Sequence, residues 1–194
     1  MIQERLFVLK VSKHGESDLI IRTLNREGAK VSLFAKAALK SKKRFGGGVL
    51  EPTHYIMATY KPHKSGEGLS YLNEAKLVND FPEVRKDYDH LELALYMVDV
   101  IEKFCQEGLS DNPELFNLLG NGLKCIKKGS KADLLKLIFQ AKLLMSQGVL
   151  SETEELKPLL SRPVSEHDQV ILDPHKYLVL KRQLDRQIQE FAAI

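Results

Sequence analysis

The chain has 194 residues, of which 43% are hydrophobic and 28% are charged, a composition typical of an ordinary soluble globular protein. No apolar run approaches the ~18 residues that a membrane-spanning helix needs, and the charged N-terminus is unlike a signal peptide. The two cysteines, Cys105 and Cys125, are too few and too distant in sequence for a disulfide framework or a thiolate metal site. We therefore expect a cytoplasmic protein with reduced thiols and no membrane contact.

The net charge of +3 conceals an uneven distribution along the chain. Residues 1–80 carry 14 Lys and Arg against 8 Asp and Glu, whereas residues 81–194 carry 15 against 18. The first part is therefore the better candidate for binding a polyanion, and the second part for packing or protein contacts.

The first 80 residues show the alternating hydrophobicity and the turn signals of short β-strands. We predict five strands, over residues 4–12, 18–25, 29–36, 53–60 and 69–78. Arg26-Glu27-Gly28 is a short hairpin connection, and Pro62 with residues 64–68 separates the last two strands. Five strands in this length fit a small closed barrel of the oligonucleotide-binding (OB) type, and a five-stranded roll with another role is the alternative.

A run of positive charge, the basic stretch, occupies residues 36–48 between the third and fourth predicted strands. It reads KAALKSKKRFGGG, and no Asp or Glu lies between Lys30 and Glu51. Cations that follow phosphates, together with rings that stack on bases, are typical of sites for single-stranded nucleic acid. A solvated charge run in a mobile loop is the alternative.

The candidate nucleic-acid contacts in and near the basic stretch carry either a positive charge or an aromatic ring. Phe34 and Lys36 should share the outward face of the third strand, because they alternate with Val31, Leu33 and Ala35. For the phenylalanines the alternative is packing in the core. The candidates are Arg22, Phe34, Lys36, Lys40, Lys42, Lys43, Arg44 and Phe45.

From Phe81 onward the hydrophobic period changes from about 2 to about 3.6 residues, which indicates helices. Start and stop signals place these helices at about 82–108, 113–128, 131–147 and 174–191. A further short helix should start at Ser151 and end at Pro158. We therefore predict an α+β protein with two domains. Residues 1–80 form a five-stranded OB-type β-barrel that binds nucleic acid, and residues 81–194 form an α-helical bundle.

The sequence contains no arrangement of residues that points to catalysis. Its six histidines are scattered, and none forms a metal-binding pair such as HExxH. Ser17 lacks the glycine elbow of a nucleophile, and the three glycines of the basic stretch lack the Lys-Ser/Thr of a phosphate loop. We expect a protein that is not an enzyme and that needs no cofactor.

Several strings of residues, taken in order and with their spacing, resemble the RecO family of DNA recombination and repair mediators. The resemblance extends over roughly residues 5–100 and continues more weakly at Phe139, Lys142-Leu143-Leu144 and Gly148. The strings are His14-Gly15-Glu16-Ser17-Asp18-Leu19-Ile20, Arg26-Glu27-Gly28, Ala35-Lys36, Ser41-Lys42-Lys43-Arg44-Phe45-Gly46-Gly47, Pro52, Tyr71-Leu72-Asn73-Glu74-Ala75 and Phe81-Pro82.

This resemblance implies an OB barrel followed by a helical domain, binding of single- and double-stranded DNA, and annealing of complementary strands. It also implies contact with the acidic, Phe-ended C-terminal tail of single-strand-binding protein, a partnership with RecR in loading the recombinase RecA, and a nucleoid-associated location. Lys136 and Lys142, beside Phe139 and Leu143 at helical spacing, are the candidate residues for that tail. Core packing of Phe139 and Leu143 is the alternative.

The chain departs from the family's pattern at several positions. Ala37 and Leu39 stand where the family usually has Gly and Arg, and the two CxxC pairs that bind zinc in many members are missing. Leu137-Ile138 replaces a cationic pair, for which Lys136 and Lys142 are the nearest substitutes. A scaffold that holds partners without binding DNA, and an OB protein for single-stranded RNA, stay open as other functions.

We predict that folding does not depend on a metal, because the cysteines are distant and the histidines are unpaired in sequence. Elemental analysis of the purified protein should detect no stoichiometric zinc, and a chelator should leave the melting temperature unchanged. A clear drop in melting temperature with chelator would contradict this prediction.

Overall fold

The computed structural model describes residues 1–46, 48–64, 68–108 and 112–192, and the structural statements that follow refer to these residues. The chain divides into two compact units. The first contains Met1–Phe81 and Ile101–Phe116, and the second contains Pro82–Val100 and Asn117–Ile194. The α+β class is confirmed, while the domain boundary near residue 80 stays a prediction.

Five strands in the first unit form a closed barrel in the order β1-β2-β3-β5-β4, with β1 paired to β4. The β3–β5 pairing is parallel and the other pairings are antiparallel. The predicted five-stranded OB-type barrel is therefore confirmed. The strands are β1 Ile2–His14, β2 Asp18–Leu24, β3 Lys30–Ala35, β4 Tyr55–Lys61 and β5 Ser70–Asn79.

The barrel interior is filled by side chains that alternate along each strand with outward-facing ones. Because successive side chains point to opposite faces, a strand with alternating apolar residues buries one face only. Complete burial of a Leu or Ile side chain stabilises the fold by roughly 1.5–3 kcal/mol. Side chains with no solvent exposure come from all five strands and include Leu6, Ile21, Leu33, Ile56 and Leu72.

The hairpin between β2 and β3 forms where the sequence predicts it. The Asn25 side chain accepts a hydrogen bond from the Ala29 N–H at 2.8 Å, and Gly28 adopts a φ of 82° that favours glycine. This turn fixes which residues of β2 and β3 lie opposite each other.

The basic stretch contains a single helical turn, α1 (Lys42–Phe45), where the sequence analysis predicts only a loop. The turn points Phe45 into the barrel, where it is 5% exposed and packs with the core, while Lys42 and Lys43 stay in solvent. Burial of the ring therefore decides the local structure. Gly47 lies outside the described residues.

Ala37 turns the chain from β3 into the basic stretch with a φ of 53°, in the left-handed region. Its N–H donates to Asp18 Oδ1 at 2.7 Å, which holds this turn against the start of β2. A residue with a Cβ atom is disfavoured here by roughly 1–2 kcal/mol, and glycine is not. The glycine that the family resemblance leads us to expect at this position would therefore be the less strained residue.

Helices make up most of the second unit, and two of them start directly after a capping aspartate. Asp87 accepts a hydrogen bond from the His90 N–H, and Asp173 accepts one from the Lys176 N–H, each at 2.9 Å. The helices are α2 Tyr88–Phe104, α3 Pro113–Cys125, α4 Ala132–Ser146, α5 Lys157–Leu160 and α6 Pro174–Ala192, with 3₁₀ turns at Pro82–Arg85 and Val164–Gln169.

Three boundaries in this part were predicted wrongly. The short helix predicted from Ser151 begins only at Lys157. Pro158 lies in the first turn of α5 and does not end a helix, because the first turn needs no N–H from proline. The predicted helix from residue 82 is interrupted, since Pro82–Arg85 is a 3₁₀ turn and α2 begins only at Tyr88. The 3₁₀ turn at Val164–Gln169 was not predicted.

Helix α4 is the centre of the second unit. It packs against α5, α6 and the 3₁₀ turn at Val164–Gln169, and most of its residues are buried. A helix that is apolar on all sides is expected in such a position. Its buried Gln140 donates hydrogen bonds to the Tyr96 hydroxyl at 2.6 Å and to Asp185 Oδ1 at 2.7 Å, which satisfies a polar group inside the packing.

We predict that Ala37→Gly stabilises the protein, because it relieves the left-handed strain at this position. The free energy of unfolding, measured by chemical denaturation, should rise by about 0.5–1 kcal/mol, which is the relief of strain less the cost of glycine's greater chain entropy. Ala38→Gly is the matched control. Ala38 has no positive φ, so its substitution should lower stability by at least about 0.5 kcal/mol. Equal losses in both variants would contradict the prediction.

Candidate nucleic-acid interface

The outward face of β1, β2 and β3 is assembled by their antiparallel register. Arg22 lies opposite Lys10 on one side and Ser32 on the other, and Ile20 lies in the same way between Ser12 and Phe34. Directly opposite residues share one face of a sheet. The face is therefore polar and basic at Lys10 and Arg22, and it becomes aromatic towards Phe34.

Three aromatic side chains, which we call the ring cluster, meet at the end of this face nearest the basic stretch. The Phe34 ring centroid lies 5.8 Å from that of His14, edge to face, and 6.2 Å from that of Tyr71. His14 and Tyr71 are exposed and Phe34 is half-buried. The cluster therefore offers ring surface to solvent, as a platform for base stacking requires.

The sequence analysis identified Phe34 but missed His14 and Tyr71. Tyr71 reaches Phe34 because β3 and β5 pair in parallel, and that pairing joins strands far apart in the sequence. His14 extends the platform because β1 continues to His14, beyond the end of the predicted strand at residue 12. An alternation count continued through Lys10, Ser12 and His14 is the signal that could have found it.

Four lysines of the basic stretch are exposed: Lys36, Lys40, Lys42 and Lys43. Within the described part of the chain, no ion pair or hydrogen bond occupies their ammonium groups. Lys36 directly follows the end of β3 at Ala35, two residues after Phe34 of the ring cluster. These lysines lie in solvent, and their contact with DNA stays a prediction.

Arg44 differs from the lysines because its guanidinium group is used within the fold. It donates to the Lys36 carbonyl at 2.6 Å and to Ser41 Oγ at 3.1 Å, and it lies 4.9 Å from the centre of the Phe45 ring. These contacts tie the two ends of the basic stretch together. Arg44 therefore stabilises the conformation of the basic stretch. Contact between its guanidinium group and a DNA phosphate would be a second role.

Phe45 does not fit the prediction that it stacks on a base. Its side chain is 5% exposed and belongs to the barrel core. The alternative stated for this residue, core packing, is the correct one. The physical reason is that α1 gives Phe45 an inward direction that a plain loop would not impose.

Arg22, predicted to bind DNA, forms an ion pair in the structure. Its Nη1 lies 2.7 Å from Glu102 Oε1, and the Lys30 ammonium lies 3.2 Å from the same oxygen. Burial alone would raise the pKa of Glu102, but hydrogen bonds from Arg22 and Lys30 lower it below the ordinary value for a glutamate. Glu102 is therefore charged at neutral pH, and it offsets one of the two positive charges of Arg22 and Lys30.

In the second unit, the residues predicted to bind a partner's tail do not line one groove. Phe139 and Leu143 have no solvent exposure, so their predicted role at an open surface is wrong and their alternative role in the core is correct. Lys142 donates to the Leu160 carbonyl at 2.9 Å. The Lys136 ammonium lies 4.1 Å from the centre of the Tyr96 ring, at an open cleft that Leu134 and Tyr177 also line.

Other reactive groups in the described ranges are inert or dispersed. Burial raises the pKa of the Cys105 thiol to about 12, which keeps it protonated. Nowhere in those ranges do three or more His, Cys, Asp or Glu side chains gather as a metal site would need. None of the helices described is long and apolar enough to cross a membrane.

Comparison with known proteins agrees with this geometry in both parts of the chain. The family model for the Recombination protein O N terminal matches residues 1–81, and that for the Recombination protein O C terminal matches residues 85–154. The first match spans the barrel, and the second runs from the start of the helices to just beyond α4.

Individual relatives give the same family. A DNA repair protein RecO of Syntrophus aciditrophicus (strain SB) is 34% identical over 144 residues, which are 73% of this chain and 54% of the relative. Proteins of that name from Bacillus pumilus (strain SAFR-032) and Alkaliphilus metalliredigens (strain QYMF) are 28% and 29% identical, over 80% and 85% of this chain and 59% and 63% of their own length. The matched part thus spans less than two thirds of each relative. With both family models matched in order, this chain belongs to the RecO family.

Proposed function

We propose that the protein acts in DNA recombination and repair by binding single-stranded DNA on the ring cluster and the basic stretch. The observation that carries this proposal is the exposed ring surface of His14, Phe34 and Tyr71 beside a stretch of four exposed lysines. Rings stack on any base and lysines attract any phosphate, so the binding should depend little on sequence. Duplex DNA offers the same phosphates and should bind through the lysines.

The electrostatic setting of the basic stretch favours this function. The 20 residues between Lys30 and Glu51 contain no carboxylate, so nothing within them neutralises the lysines. Arg44, with its hydrogen bonds to the Lys36 carbonyl and the Ser41 hydroxyl, links the two sides of the stretch and so limits its conformations. A fixed group of cations loses less conformational entropy on binding a strand than a mobile loop would.

Annealing of complementary strands is the further activity that we propose. Two strands that approach each other repel through their phosphates, and bound lysines reduce that repulsion. A site that stacks bases without reading them leaves the strands free to find their complement. The support for this step is family membership together with the proposed sequence-independent site.

We also propose the partners that membership in the RecO family suggests: the tail of single-strand-binding protein, RecR, and a functional link to RecA. With Phe139 and Leu143 buried, the tail would have to use another surface of the second unit. The open cleft of about 710 Å³ that includes Tyr96, Leu134, Lys136 and Tyr177 offers apolar and cationic groups for such a peptide, beside the carboxylates of Asp89, Glu92 and Asp133. Catalytic activity and a cofactor are no part of the proposal.

We predict that the salt dependence of DNA binding reports on the lysines of the basic stretch. At about −0.7 per phosphate contact, four lysines give a slope of roughly −2.8 in a plot of log affinity against log salt for single strands. Lys42→Ala with Lys43→Ala should flatten this slope by about 1.4 and weaken binding of unrelated sequences alike. Fluorescence anisotropy with a labelled oligonucleotide measures both quantities.

The matched control for this experiment is Lys127→Ala with Lys128→Ala, which removes two adjacent exposed lysines that follow α3. This control should leave the slope unchanged. If the control flattened the slope while the variant in the basic stretch did not, DNA would bind elsewhere and the proposed site would be wrong. Absence of binding by the unmodified protein would favour a scaffold that does not touch DNA.

A second prediction concerns the ring cluster. Phe34→Ala should lower the affinity for single-stranded DNA by about 1–3 kcal/mol at nearly constant salt slope, because stacking is lost and no phosphate contact is removed. Phe34→Tyr, which keeps the ring, is the control and should bind within a few tenths of a kcal/mol of the unmodified protein. Equal affinity of the Ala and Tyr variants would show that this ring does not stack on a base.

A further inference from the structure

Two carboxylates, Glu102 in the last turn of α2 and Glu107 just after that helix, contact the outward side of β2 and β3, at the end away from the ring cluster. Glu102 Oε1 accepts hydrogen bonds from Arg22 and Lys30 at 2.7 and 3.2 Å. Glu107 accepts hydrogen bonds from the Ser32 N–H at 3.0 Å and from the Ser32 hydroxyl at 2.9 Å. All of these residues belong to the first unit.

The donors in these contacts are the groups that proteins use to bind nucleic-acid phosphates. A guanidinium, an ammonium, a backbone N–H and a hydroxyl are the usual partners of phosphate oxygens. Here each of them is occupied by a carboxylate of the same chain. The Glu102 side chain is only 9% exposed, whereas that of Arg22 is 46% exposed, so the guanidinium reaches solvent while the buried carboxylate, shared with Lys30, offsets part of its charge.

The segment that carries the carboxylates is held in place by its backbone. The Lys30 N–H donates to the Gln106 carbonyl at 2.8 Å, and the Gly108 N–H donates to the Lys30 carbonyl at 3.2 Å. This pairing is possible because β3 joins β5 only at Leu33 and Phe34, which leaves the start of β3 as an open edge. The carboxylates are therefore fixed in position.

We infer that Glu102 and Glu107 take the place of phosphates at the Arg22–Ser32 end of the face, and thereby confine a bound strand to the ring cluster and the basic stretch. This inference rests on the proposed function. A strand that extended beyond Phe34 towards Ser32 would find the Ser32 donors occupied by Glu107 and the combined charge of Arg22 and Lys30 halved by Glu102. Glu102 and Glu107 thus act as positioning residues that set where the DNA path ends.

Glu102→Gln tests this inference because it keeps the side chain's shape and removes its charge. A neutral acceptor holds a guanidinium less strongly than a carboxylate does, so Arg22 becomes available to a phosphate. The log affinity–log salt slope for a labelled oligo(dT) should become steeper by about 0.7, for one added contact, with tighter binding at low salt. Adding Arg22→Ala to this variant should abolish the change.

Glu190→Gln is the matched control, since Glu190 also lies 2.7 Å from an arginine, Arg186, but on α6. It should leave the slope unchanged. Arg22→Ala alone, at an exposed position, should also leave the slope unchanged. In the unmodified protein Arg22 is held by Glu102 and therefore contributes no contact to a DNA phosphate. This variant keeps the test valid even if Glu102→Gln fails to fold.

Two outcomes would overturn the inference alone: a flatter slope in Arg22→Ala, or a slope in folded Glu102→Gln equal to that of Glu190→Gln. Both presuppose that the unmodified protein binds the oligonucleotide and that Lys42→Ala with Lys43→Ala weakens the binding. If the unmodified protein does not bind, the proposed function fails, and this inference fails with it.

Discussion

The antiparallel register of β2 against β3 determines what the barrel presents to solvent. It places Ile20 opposite Phe34 and Arg22 opposite Ser32, so that apolar side chains fill the interior and rings and charges share the outer face. A shift of β3 by one residue would move Leu33 outward and turn Phe34 inward, because side chains alternate along a strand. The Asn25–Gly28 turn, which fixes this register, therefore supports both the core and the proposed DNA-binding face.

The basic stretch shows how burial and charge cooperate in one short segment. Phe45 inserts into the barrel, Arg44 lies against its ring and donates to Lys36 and Ser41, and the lysines are left in solvent. The apolar and the planar cationic side chains thus give the stretch its conformation, and the flexible lysines carry its free charge. At the other end of the face, Glu102 pairs with Arg22 and Lys30 and offsets part of their charge. Position within the fold, more than residue type, decides which cations are available to a ligand.

Much of this fold could be predicted from the sequence, because period-2 and period-3.6 patterns report local burial. The five strands, the main helices and the exposure of the lysines follow from such patterns. Contacts between distant segments could not be predicted in this way: Tyr71 reaches Phe34 through a parallel pairing, and Glu102 reaches Arg22 across 80 residues of sequence.

The prediction for Phe45 was wrong because a loop and a helical turn with the same residues differ in which side chain points inward. Phe139 and Leu143 were misplaced because most of α4 is apolar and buried, so its sequence does not separate a core face from a binding face.

Photocrosslinking tests the central claim, that single-stranded DNA lies across the ring cluster, most directly. An oligo(dT) in which thymine is replaced by 5-iodouracil crosslinks to aromatic side chains that stack on it, and mass spectrometry of the digested protein maps the adducts. The account predicts adducts at Phe34, Tyr71 or His14, and their loss at high salt. Adducts confined to the helices of the second unit, or found at the Arg22–Ser32 end of the face, would contradict it.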